Sequence, residues 1–300
     1  MAITAPGSPA LTLGPAQIAA RPNRFLAAWR RLSRNRLALL GSIAAVTYIL
    51  LGVFGPFFAP FDYAKQNLLQ SNLPPLTKGH LLGTDQVGRD ILSRLLTGIR
   101  ISLIVGFGVT AISMIVGLAA GAIAGFRRGW IDSLISAFVE FTWGFPLILL
   151  AVVLAGTMGP GLLATILAVG LINWAGFARI VRGEVLSLRE AEFVQSARAS
   201  GLQEGKILLR HVLPNVLAPA LVMASYYVAL GIIAEAGLSF IGMGAQPPLP
   251  SLGVMIAEGR NYMLQNHWSS TIPGLTIVTV VLGLNLLGDG LRDVLDPRMR

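Results

Sequence analysis

Apolar residues run along this chain in long blocks, and most polar residues fall between them. Leu37 to Phe61, Ile101 to Phe126 and Phe141 to Ala178 carry no charge at all. A bilayer core is crossed by about 20 helical residues, so the first two blocks predict one span each. The third is too long for one helix, and Gly156, Gly159, Pro160 and Gly161 break it into a hairpin. Two further apolar blocks follow a polar insert. The expected spans are 37–58, 101–126, 134–156, 161–178, 216–241 and 271–291, which makes an all-α membrane protein of six helices.

The insert, 179–215, is a different kind of sequence. Arg179 to Pro214 holds 10 of the chain's 37 charged residues. Leu188 to Ser200 is rich in helix formers and ends at Gly201, a natural C-terminal cap. A second short helix is expected from Gln203 to about His211, stopped by Leu213-Pro214. Ala191, Ala197 and Ser200 would let a partner approach the first helix closely. An amphipathic helix resting on the membrane fits the same pattern. Before the second block, Ile91, Leu92, Leu95, Leu96 and Ile99 repeat at helical spacing between Arg89, Asp90, Arg94 and Arg100. That predicts an amphipathic helix over 85–100, either in the membrane interface or packed on the spans.

Composition agrees with the blocks. The chain is 54% hydrophobic and 12% charged, against about 25% charged in soluble domains. Its net charge of +9 is no sign of nucleic acid, because the basic residues flank apolar blocks. Starting inside, the cytoplasmic segments 1–36, 127–133, 179–215 and 292–300 hold 17 of the 23 Lys and Arg. Both termini and the insert are therefore expected in the cytoplasm. Residues 1–20 are uncharged and hold three prolines, which reads as a tail; Arg21 to Arg36 then leads into a full span, so this is no signal peptide. With no cysteine, disulfides and thiolate metal sites are excluded. His80, His211 and His267 stand too far apart for a ligand set and read as ordinary surface or interface residues.

Three acids fall in or near spans. An ionised acid at a bilayer centre costs about 3 kcal/mol on insertion scales, so such residues usually face a cavity or a polar partner. Glu140 and Glu235 are the candidates for a transport pathway; Asp289 reads as a helix-end residue. Pro146 and Pro219 can each kink a span.

The insert resembles the cytoplasmic coupling loop of ABC importer permeases, whose pattern is E-A-A, three residues, G, nine residues, I-x-L-P. Ala197, Gly201, Leu213 and Pro214 match in register, and Ser200 lies beside the glycine. Gln195, Ser196 and His211 occupy the Glu, first Ala and Ile positions and differ. LGTDQVGRDILSRLL (Leu82–Leu96), LSFIGMGAQPP (Leu238–Pro248) and NLLGDGLRDVLDP (Asn285–Pro297) resemble segments of the dipeptide/oligopeptide/nickel branch, in its C-type subunit. Pro250-Ser251-Leu252-Gly253 stands where that branch commonly has P-E-W-G.

The resemblance implies a bacterial inner-membrane translocation subunit, half of a heterodimeric pore, most simply for di- or oligopeptides. Its implied partners are a B-type permease, two cytoplasmic ATPases carrying ATP and Mg, and an extracytoplasmic binding protein. Gln195, Ser196, Ala197, Ser200, Gly201, Leu213 and Pro214 are the implied coupling residues. A P-loop is missing from the sequence: the only Gly-Lys pair, Gly205-Lys206, has Ser200 at the first glycine position and Ile207 after the lysine. The chain is thus expected to bind no cofactor and catalyse nothing. The rival reading is a proton-coupled transporter acting alone, with Glu140 and Glu235 as proton sites. No internal repeat supports it.

Overall fold

The computed structural model describes residues 35–295, so the tail expected over 1–36 lies almost wholly outside the described residues. Every regular segment among them is helical, apart from two isolated bridges, Thr77 to His80 and Thr84 to Asp90. In chain order the helices are α1 (Arg36–Phe54), α2 (Ile91–Arg127), α3 (Trp130–Trp143), α4 (Leu147–Met158) and α5 (Leu162–Arg189). There follow α6 (Glu192–Ala199), α7 (Glu204–Phe240), α8 (Leu252–Gly259) and α9 (Trp268–Leu295). Helices α1, α2, α5, α7 and α9 are each long and apolar enough to cross a membrane. Their outer faces stay apolar: α1 exposes Leu37, Leu40, Ile43, Val46, Leu50 and Val53. Such a face suits hydrocarbon, where exposure of apolar atoms costs nothing.

The expected helix over 134–156 is not one helix. Helices α3 and α4 meet at 92°, and together they have the length and composition of one further span or of a re-entrant loop. The break within it is Gly144-Phe145-Pro146, while the later glycines, as expected, separate α4 from α5, with Gly159 and Gly161 as caps. Proline denies its residue an N–H and forces the residue before it out of helical geometry. Pro146 adopts an extended conformation and becomes the N-cap of α4.

Small residues set the packing. Gly117, Gly121 and Gly125 form a stripe on α2 against α5, where a side chain at Gly121 would strike the Ala178 carbonyl and Val181. Gly106 and Gly231 bring α2 and α7 together: a Cβ at Gly231 would lie 3.1 Å from the Gly106 Cα. Close backbone approach is how helices gain dispersion energy in lipid, where burial of apolar area gives none. One core cluster joins Ala45 of α1, Leu95 and Ile99 of α2, Ile232 of α7, Leu252 of α8 and Leu284 of α9.

The 85–100 segment packs against the other helices, the second of the two readings its spacing allowed. It is no separate interfacial helix. The loop 59–90 leads into Asp90, which caps α2 by accepting from the Ser93 N–H at 2.8 Å, and α2 then runs unbroken to Arg127. Asp85, Arg89, Asp90 and Arg94 are buried, while Arg100 is exposed. Arg89 donates to Asp85 at 2.6 Å and to Glu258 of α8 at 2.7 Å; Arg94 donates to Asp85 and, at 2.7 Å, to Glu258. His80, read as a surface or interface residue, is buried and bonded to Asp90 at 2.8 Å. Buried charges persist only when paired, and here each has a partner.

Candidate functional site

The insert contains the two helices joined at Gly201 that the sequence implied, but their limits differ. Helix α5 continues to Arg189, and α6 begins after Glu190-Ala191. Gly201 has φ +76°, the left-handed region in which a side chain is strained. Its N–H bonds the Arg198 carbonyl at 2.9 Å and the Leu202 N–H bonds the Ala197 carbonyl at 3.2 Å, the pair of bonds of a Schellman cap. Arg198 then grips Glu204 across the turn at 2.9 Å.

Pro214 does not end the second helix. It lies in the first turn of Leu213–Phe240, and the residues just before it, Leu208–Val212, form a π turn. The Leu213 N–H reaches back to the Leu208 carbonyl. Widening by one residue absorbs the bond and the space that the proline ring denies. Helix α7 therefore joins the insert directly to a membrane-length helix.

Helix α6 has two faces. Val194 and Ala197 are buried against Ala122 and Phe126 of α2, Val181 and Val185 of α5, and Ile207, Val212 and Val216 of α7. Gln195, Ser196, Ala199, Ser200 and Gly201 are exposed. Two apolar side chains share that outer side, Phe193 at 42% and Leu202 at 40% exposure. Ala197 thus packs within the chain itself, and its small size serves internal packing rather than a partner's approach. Leu213 is half-buried, also against this inner cluster, and Pro214 is exposed. Phe193 and Leu202 were missed in the sequence, although apolar residues inside a polar insert are a legible signal.

The two pathway candidates have opposite surroundings. Glu235 is wholly buried on α7. Ser239 donates to it at 2.6 Å and Ser102 of α2 at 3.2 Å. Ser102 also accepts from the Leu252 N–H at 3.3 Å, and Ser251, the N-cap of α8, lies 3.3 Å from the Ser239 hydroxyl. Glu235 is a knot that ties α2, α7 and α8. Glu140 is exposed and lines a cleft of about 280 Å³ between α3 and α5, floored by Ala124 of α2. Arg179 and Arg182 line the same cleft. The sequence had recorded these arginines only as basic charge flanking a span.

Known proteins resemble this chain over nearly its whole length. Residues 117–300 match the family described as binding-protein-dependent transport system inner membrane component. The chain belongs to that family. Residues 24–75 match the N-terminal transmembrane domain of oligopeptide transport permease C. A dipeptide transport system permease protein of Alkalihalophilus pseudofirmus is 41% identical, over 91% of this chain and 90% of that protein. An oligopeptide transport system permease protein of Bacillus subtilis is 36% identical over 92% of each chain. A glutathione transport system permease protein of Escherichia coli is 39% identical over 91% of this chain and 90% of that one. In fold, the chain is similar to an inward-facing structure of the MetNI methionine ABC transporter. The TM-score is 0.56 at 22% identity, covering 67% of this chain and 95% of the other. The permease is thus an all-helical, multi-span translocation subunit of a transport system, as the resemblance implied.

Proposed function

We propose that this permease forms half of the pore of an ATP-binding-cassette importer for di- and oligopeptides in a bacterial inner membrane. A B-type permease supplies the other half. Two cytoplasmic ATPases hold ATP and Mg, and an extracytoplasmic binding protein delivers the cargo. Residues 37–300 are the permease domain, 1–36 a cytoplasmic tail, and 179–215 the coupling loop. The observation that carries this reading is the division of labour on α6. Its inner face is locked to α2, α5 and α7, while its outer face presents Phe193, Ser196, Ser200 and Leu202 to a partner. A push on the outer face would move three membrane-length helices as one body. The peptide and glutathione relatives support the cargo class.

The complete complex in proteoliposomes, with its binding protein, tests both halves of the proposal. Uptake of trialanine should require hydrolysable ATP and survive collapse of the proton gradient. Uptake driven by the gradient alone would favour the lone transporter instead. Ser196→Glu should leave the two permeases paired yet reduce retained ATPase about tenfold, the loss of roughly 1.4 kcal/mol at the contact. Ala197→Glu should instead disrupt the permease's own corner, because it buries an unpaired charge. Full ATPase retention by Ser196→Glu would remove this face as the docking site.

A further inference from the structure

The cleft between α3 and α5 is lined by Glu140 and Arg179, two charges of opposite sign that are not paired with each other within 4 Å. At its mouth Arg182 is already taken: Asp132 of α3 accepts from its Nε at 2.5 Å and its second nitrogen at 2.8 Å. That bidentate pair fastens α3 to α5 and removes one positive charge. Arg179 lies about one helical turn before Arg182 on α5. Its guanidinium sits over the Trp143 ring, 4.1 Å from the centroid, which orients the group without cancelling its charge. Among the described residues neither Arg179 nor Glu140 has an ion-pair partner within 4 Å. Ile135, Val139, Ala124 and Ala178 supply apolar wall between them.

Glu140 is ten residues along α3 from Trp130, and Arg179 is ten residues back along α5 from Arg189. Glu140 is three residues from the Trp143 end of α3, about 5 Å at 1.5 Å per residue, and Arg179 is about 15 Å from the Arg189 end of α5. An exposed carboxylate among apolar side chains is better matched to water, cargo or protein than to lipid. A cavity of this size takes a ligand of a few residues at most.

We propose that this cleft is a transit subsite for the termini of a zwitterionic peptide, and this rests on the peptide-importer reading above. Glu140 takes the ammonium end and Arg179 the carboxylate, while the apolar walls accept side chains without selecting among them. The paired Asp132 and free Glu140 count against a phosphate-bearing ligand, which both would repel. Selectivity by termini alone suits a path that must pass many peptide sequences.

The test uses the assembled complex in proteoliposomes with its binding protein and trialanine as the probe. Glu140→Gln and Arg179→Gln should each lower maximal uptake about tenfold, the loss of one charge-assisted contact. In Glu140→Gln, ATP hydrolysis stimulated by the loaded binding protein should stay at the unmodified level, since Glu140 lies on α3, outside the coupling loop. Glu140→Asp and Arg179→Lys keep the charges and should retain at least half of the uptake. Unchanged uptake in both Gln variants would overturn the subsite while leaving the importer reading intact. Loss of the second permease from the purified Gln variants would also overturn it, assigning the pair to a subunit contact. If the unmodified complex carried no trialanine, the peptide reading would fall and the subsite with it.

Discussion

Glu235 shows how far a single residue can be read without its neighbours. An acid in an otherwise apolar block is visible in the sequence, and its cost in hydrocarbon demands a polar partner. Which partner is decided by folding: Ser102 lies 133 residues away along the chain. The hydroxyls that meet Glu235 make it an internal tie between α2 and α7. Glu235→Gln keeps an acceptor oxygen for Ser102 or Ser239 and should shift the thermal midpoint of the purified permease little. Glu235→Leu strands both hydroxyls and should destabilise by about 1–3 kcal/mol for each one left unsatisfied. Equal midpoints for the Leu variant and the unmodified chain would show that the knot bears no strain. Ala197 teaches the same lesson at the other end, since a small residue permits close packing equally well inside the chain and outside it.

At the scale of elements, period and punctuation located most helices, and the errors sit where one helix meets the next. The apolar spacing of Ile91 to Ile99 correctly announced a helix, but spacing cannot say whether its polar face meets water or buried counter-charges. Here Asp85 and Glu258 bracket Arg89 and Arg94, and the short helix α8 is tied to α2 through that cluster. Removing one member should be severe, because it leaves buried charge uncompensated. Arg94→Met is expected to cost about 3–5 kcal/mol. Its local signature would be faster hydrogen exchange over Leu252–Gly259, by at least tenfold, read by mass spectrometry. Unchanged exchange there would mean that Leu252 and Met255, packed in the core, hold α8 without the ions. Prolines misled in both directions. Pro214 was expected to end a helix and is absorbed by a π turn, whereas Pro146 was expected only to kink a span and instead turns the chain by 92°.

At the scale of the molecule, the basic residues predict which end faces the cytoplasm, and the absence of cysteine from the sequence makes that easy to check. Gln265, near α8, and Ser187, near α6, are both exposed. A cysteine at Gln265 should react with an impermeant thiol reagent added outside intact cells, and one at Ser187 should not. The reverse pattern would invert the topology and move α6 out of reach of a cytoplasmic ATPase. The chain by itself determined that this is a helical membrane protein, roughly where its helices lie, and that a polar helix–turn–helix divides two of them. Those properties depend on local composition and period, which survive in one dimension. Only the tertiary structure decided that α6 turns Ala197 inward and Phe193 outward, that Glu235 is bonded and Glu140 is open, and that Arg179 and Glu140 share a cleft. Each of those depends on which residues distant in sequence come within bonding distance, and helix packing, not period, sets that.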